Sequence, residues 1–168
     1  MERGNKCPRS GRSRTKIVSG GQTGVDRAAL DFAIRHGYEH GGWCPHGRLA
    51  EDGVIPSIYQ LRETESADYD ERTEKNVVDS DATLIVAREA ELSGGTAFTN
   101  TLAVQHGRPV LVVYESDGVS SGAAALAEFL KQNHVRTLNV AGPRASQAPG
   151  IGRFVVALLE AVLAYRQP

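Results

Sequence analysis

The spacing of apolar residues changes several times along the chain, and each change marks an element. Ala82-Thr83-Leu84-Ile85-Val86-Ala87 is a near-continuous apolar run. So short a run, rich in branched side chains, predicts a strand buried on both faces, as in a parallel sheet. Pro109 to Tyr114 predicts a second such strand, and Thr137 to Val140 a last one. Lys16–Ser19 is a short first strand, and Glu39 to Trp43 reads as another. Helical spacing fills the gaps. Gly24 to His36 places Val25, Ala29, Phe32 and Ala33 on one face, and Gly37 suits the stop after it. Arg72 to Val78 reads as helical, with Arg72 and Asn76 one turn apart. A helix follows Ser93-Gly94-Gly95-Thr96 and ends at Gly107; another covers Ala123 to Gln132. After Pro149, Ile151, Phe154, Val155, Leu158, Leu159, Val162 and Leu163 keep a helical stripe to the end. Strands alternating with helices predict an α/β domain with a mostly parallel sheet over residues 16–168.

Ligands of such sheets sit beyond the carboxyl ends of the strands, where strand order reverses. An order 2-1-3-4-5 makes strands 1 and 3 neighbours, so the turns after them face one crevice. Those turns are Ser19-Gly20-Gly21-Gln22-Thr23-Gly24 and Ser93-Gly94-Gly95-Thr96. Glycines let backbone N–H groups approach an anion, and the following helix N-terminus favours negative charge. Asp26 suits that helix dipole. Neither turn is G-x-G-x-x-G or a Walker sequence, so routine dinucleotide or triphosphate chemistry is unsupported. Replacing Gly21 by Asp is expected to abolish anion binding while the fold survives.

Arg27, Arg48 and Arg72 are candidate anion clamps. Arg48 leads them, because its loop follows the second strand on the ligand side. Residues 48–72 are polar and irregular, the length of a functional lid. Glu51, Asp52 and Glu63 within that segment are candidate acid–base groups, with no spacing that pairs them. His40, Cys44 and His46 match no standard zinc pattern, so no metal site is expected.

The totals narrow the partners. The net charge of −1 over 168 residues gives no basis for a nucleic-acid-coating surface. Residues 1–15 are basic and poor in apolar groups, and read as a disordered tail. Two cysteines make no disulfide framework, which suits a reducing cytoplasm. No apolar run approaches the ~20 residues of a membrane span.

Five stretches carry a resemblance: residues 17–31 (Ile-Val-Ser-Gly-Gly-Gln-Thr-Gly-Val-Asp-Arg-Ala-Ala-Leu-Asp), 42–53 (Gly-Trp-Cys-Pro-His-Gly-Arg-Leu-Ala-Glu-Asp-Gly), Tyr-Gln-Leu-Arg-Glu-Thr (59–64), 72–85 and Gly-Gly-Thr (94–96). Together they resemble the putative molybdenum cofactor carrier family. That family belongs to a Rossmann-like superfamily with the lysine-decarboxylase-like (LOG) phosphoribohydrolases and the DNA-processing protein DprA. The resemblance implies a Rossmann-like, doubly wound, five-stranded, mostly parallel sheet with helices on both faces. It also implies a phosphorylated heterocycle, molybdenum cofactor or a nucleotide-like ligand, on Gly20–Gly24 and Gly94–Thr96. A homo-oligomer is expected from the superfamily. An N-glycosidase of the LOG type is the alternative. Ser93 stands where the LOG signature has proline, and Thr99-Asn100 where it has glutamate. A binding protein is therefore expected ahead of an enzyme.

Overall fold

The computed structural model describes residues 14–88 and 90–164. The tail expected over residues 1–15 lies outside them up to residue 13. Five strands form one parallel sheet: β1 (Lys16–Val18), β2 (His40–Gly41), β7 (Ala82–Ala87), β8 (Val110–Tyr114) and β9 (Thr137–Ala141). Between β2 and β7 lie four two-residue strands, β3 (Trp43–Cys44), β4 (Leu49–Ala50), β5 (Gly53–Val54) and β6 (Arg62–Glu63). β3 pairs with β6, and β4 with β5 as a hairpin. The helices are α1 (Val25–Arg35), α2 (Tyr69–Val78), α3 (Gly94–Gln105), α4 (Gly118–Gln132) and α5 (Ile151–Leu159).

Alternation along the buried strands sends side chains to two layers. Ala82, Leu84 and Val86 of β7, with Leu138 and Val140 of β9, meet α1, α4 and α5 through Phe32, Leu126, Val155 and Leu158. On the other face α2 and α3 pack through Val77, Leu102 and Ala103. Helices therefore cover both faces, as the Rossmann-like reading requires, and every residue of β7 is buried. Among the described residues, no helix is long and apolar enough to cross a membrane.

The expected strand order is wrong. The sheet runs β2-β1-β9-β7-β8, so the last strand separates the first from the third. Its position follows from burial: Leu138, Asn139 and Val140 are all covered, which only a central strand achieves. Asn139, the polar residue among them, is satisfied by Thr83 on β7, its Nδ2 donating to Oγ1 at 3.2 Å. Moving the last strand to the front of the chain would renumber the order as 3-2-1-4-5, the common doubly wound arrangement. The segment after β9 is then the counterpart of the usual first strand–helix turn.

Candidate functional site

Because the sheet is parallel, the segments after β1, β7 and β9 leave from the same edge. The first, residues 19–24, is folded tightly. Ser19 is buried and its Oγ donates to the Val140 carbonyl at 2.6 Å, tying the turn to β9. Gly20 leaves space for the Arg72 guanidinium, which a Cβ there would overlap. Gly21 and Gly24 have φ of 78° and 80°, which disfavours any other residue. A Cβ on Gly24 would stand 2.5 Å from the Pro143 carbonyl oxygen, so this glycine admits the segment after β9. A Cβ on Gly21 would meet Leu61 and Ile55. An Asp side chain at position 21 would thus enter an apolar contact with Leu61 and Ile55.

Asp26 is 3% exposed and accepts from the Gln22 N–H at 3.3 Å and from Arg72 Nη1 at 3.2 Å. Burial pushes its carboxyl pKa up, against the pull of Arg72. Arg72 reaches the turn from α2, while Asn76 one turn on holds both the N–H (2.8 Å) and the carbonyl (2.9 Å) of Trp43. Two buried donors here have no partner, Arg72 Nε and Gln22 Nε2. The Gln22 amide orientation follows from its other end, since Oε1 accepts from the N–H groups of Thr23 (3.1 Å) and Glu51 (2.9 Å). A flipped amide would set donors against donors.

The lid carboxylates are occupied. Glu51, at the tip of the β4–β5 hairpin, accepts from the Thr23 hydroxyl, from the Ser146 hydroxyl and from the Ser146 N–H at 3.2 Å. Those hydroxyls hold its pKa below the ordinary carboxylate range. Asp52 is paired with Arg27, one branch at 2.8 Å, and Arg27 lowers its pKa too. Arg27 also donates to the Gly21 carbonyl at 3.1 Å. Glu63 accepts from the Gly47 N–H at 2.7 Å, with His46 at 3.7 Å. None of the three is a free proton donor, so the geometry does not favour the N-glycosidase alternative.

Arg48 is a loop organiser. It donates to the carbonyls of Ile55, Leu61, Pro56 and Tyr59 at 2.8–3.3 Å, which fixes residues 55–61 from within. Cys44 is buried, and burial raises its thiol pKa. His40 accepts from the Gln60 N–H at 3.3 Å. Among the described residues no three His, Cys, Asp or Glu side chains are grouped as metal ligands.

The second turn is open. Ser93, Gly94 and Gly95 are exposed, and a Cβ on either glycine would meet nothing within 4 Å. Ser93 and Thr96 line a cavity of about 210 Å³ shared with Arg88, Glu91, Pro143 and Gln147. Arg88 is tied to Glu115 at 2.7 Å and to the Pro149 carbonyl at 2.8 Å. A larger hollow of about 550 Å³ runs along α1 and α5 and takes in neither Ser93 nor Thr96.

The residues missed in the sequence lie in 142–148. Arg144 stands over Tyr69 at 5.5 Å, with Arg72 over the same ring at 5.6 Å. Ala145 donates its N–H to Thr23 Oγ1 at 3.1 Å. The signal for this segment was its small and polar composition after a strand, Gly142-Pro143-Arg144-Ala145-Ser146, without the repeated glycines of the other turns.

Residues 17–163 match the family described as "Circularly permutated YpsA SLOG family". Among solved structures, the chain is similar to the "Putative molybdenum carrier protein" of Syntrophus aciditrophicus SB. The two share 47% identity and a TM-score of 0.87, over 90% of this chain and 96% of that one. No curated protein matches. The permutation in the family description agrees with the strand order, in which the last strand holds the place of the usual first.

Proposed function

The chain belongs to the circularly permutated YpsA SLOG family, and from that membership we propose that it binds a phosphorylated heterocycle in the crevice between residues 19–24, 93–96 and 142–148. Molybdenum cofactor is the first ligand of this reading, supported by the name of the solved relative. It is a pterin that bears a phosphate and a dithiolene. The observation that carries the proposal is the pair of buried donors left without acceptors at the first turn, Gln22 Nε2 and Arg72 Nε. Buried donors ordinarily find a partner, and a ligand oxygen supplies one.

The residues fit such a group. Arg144 and Arg72 supply positive charge beside Tyr69, whose ring offers a stacking face. Ser93 and Thr96 add hydroxyls along the cavity they share with Pro143 and Gln147 of the segment after β9. The protein's part is to hold and shield the ligand. Assembly of copies into a homo-oligomer belongs to the same reading.

Native mass spectrometry of the purified protein, incubated without oxygen with molybdenum cofactor or with a nucleoside monophosphate, tests this. One bound equivalent of molybdenum cofactor is expected. Gly95→Asp should weaken that binding without unfolding, because position 95 has open space for the side chain and the new charge repels phosphate. Absence of any bound species with either ligand would overturn the proposal.

A further inference from the structure

Three donors converge between the first turn and the segment after β9. They are the Thr23 hydroxyl, the Ser146 hydroxyl and the Ser146 N–H, with Arg144 Nε 4.0 Å from the same carboxylate. Hydroxyls, a backbone N–H and a guanidinium form an anion-binding set, the kind that holds a phosphate. The occupant is a group of the chain itself, Glu51. Gln22, 5% exposed, contributes its amide at the same place: its Oε1 accepts the Glu51 N–H, while its Nε2 on the same amide has no acceptor. Gln22 thus ties the hairpin backbone to the first turn beside the seat.

Little apolar burial holds Glu51 there. On the β4–β5 hairpin, Val54 is 69% exposed and Leu49 43% exposed. Ala50 alone of the hairpin's side chains packs against the neighbouring cluster of Leu30, Cys44, Ile55 and Tyr59. What fastens the tip is polar: Glu51 to Thr23 and Ser146, and Asp52 to Arg27. Behind the tip the chain is anchored by Ile55, which is buried, and by Arg48 with its carbonyl bonds. A segment held by exposed polar contacts and few apolar ones opens at low cost.

We propose that the Thr23–Arg144–Ser146 seat is the phosphate subsite of the crevice and that Glu51 is its resident stand-in, displaced when the ligand's phosphate enters and the hairpin tip lifts. This rests on the reading that the ligand is phosphorylated, and it adds where the phosphate goes and what must leave. Arg144 has no other carboxylate within 4.0 Å among the described residues, so displacement of Glu51 leaves it a charge to pair. The hairpin is thus an internal competitor. Apparent affinity is the intrinsic affinity multiplied by the fraction of time the seat is open.

Calorimetric titration with inorganic phosphate tests this on the full chain. Glu51→Ala should bind phosphate about tenfold tighter than the wild type if the tip is closed roughly nine-tenths of the time. Glu51→Gln keeps an acceptor for one of the two hydroxyls and removes the charge, so a smaller gain in the same direction is expected. Adding Arg144→Ala to Glu51→Ala should cancel the gain. Faster amide exchange at residues 49–54 of Glu51→Ala would confirm that the tip has been released. A folded Glu51→Ala protein with a released hairpin and unchanged phosphate affinity would overturn the proposal, as would a gain that survives Arg144→Ala. The two readings fail separately. Molybdenum cofactor bound equally by all variants would sink the seat alone. A phosphate response with no binding of either heterocycle would sink the ligand reading alone.

Discussion

The two glycine-rich turns look alike as sequence and are opposites as structure. Ser19–Gly24 is built into the core: its glycines make room for Arg72, Leu61 and the Pro143 carbonyl, and Ser19 and Asp26 are buried beneath it. Gly94 and Gly95 border open space, and the Ser93 side chain makes no capping bond to its helix. Glycine in a turn thus has two meanings. It can be required by what presses against the backbone, or it can simply leave the backbone bare. The first turn is rigid and already partly satisfied by the chain itself. The second is an exposed helix start with open space around its glycines.

Asp26→Ala should give the largest effect. It leaves the Arg72 guanidinium largely buried with no counter-charge, a loss of about 3–5 kcal/mol, read by denaturant unfolding. Asp26→Asn should cost less, because the amide oxygen keeps an acceptor for the Gln22 N–H and for Arg72. Equal losses for the two variants would show that the charge opposite Arg72, and not the acceptor, carries the contribution.

Gly24→Ala should follow at about 2–4 kcal/mol, from strain at positive φ together with overpacking against Pro143. Gly95→Ala is its counterpart in the open turn. With helical backbone and free space, alanine there should stabilise by about 0.4–1 kcal/mol through the unfolded state. The contrast between the turns breaks down if the two alanine variants melt alike.

The smallest effect is a pH dependence. The folded-state pKa of Glu51 lies below its ordinary 4.5. Its ionised contacts therefore stabilise fully above that value, and the contribution disappears as pH falls through the lower folded value. The acid limb of the stability profile should be shallower in Glu51→Gln. An unchanged limb would mean that the contacts with Thr23 and Ser146 persist on protonation.

The helices and strands were legible because burial on two faces leaves continuous apolar runs, as in residues 82–87, and amphipathic packing leaves a stripe, as in α5. The short pairs β3–β6 and β4–β5 were not, since two residues carry no periodicity. Among candidate site residues, Arg72 and Gln22 meet at the first turn, each with a buried donor that has no partner. Arg48 illustrates the limit: an arginine in a polar loop looks like an anion clamp until its donors are found on four carbonyls of that loop. Glu51 and Asp52 looked like free acids for the same reason, because their partners lie in distant parts of the chain.

By itself the sequence determined local conformation: where the backbone is helical or extended, where it needs glycine, and which α/β class results. These depend on neighbours within a turn or a strand. Tertiary structure alone decided that the last strand sits between the first and third, that residues 142–148 pack against the first turn, and that Glu51 closes on Thr23 and Ser146. Those are pairings between segments up to 122 residues apart, such as Thr23 with Ala145. Nothing in local spacing encodes them. They follow from which arrangement buries both faces of β9 and satisfies its Asn139.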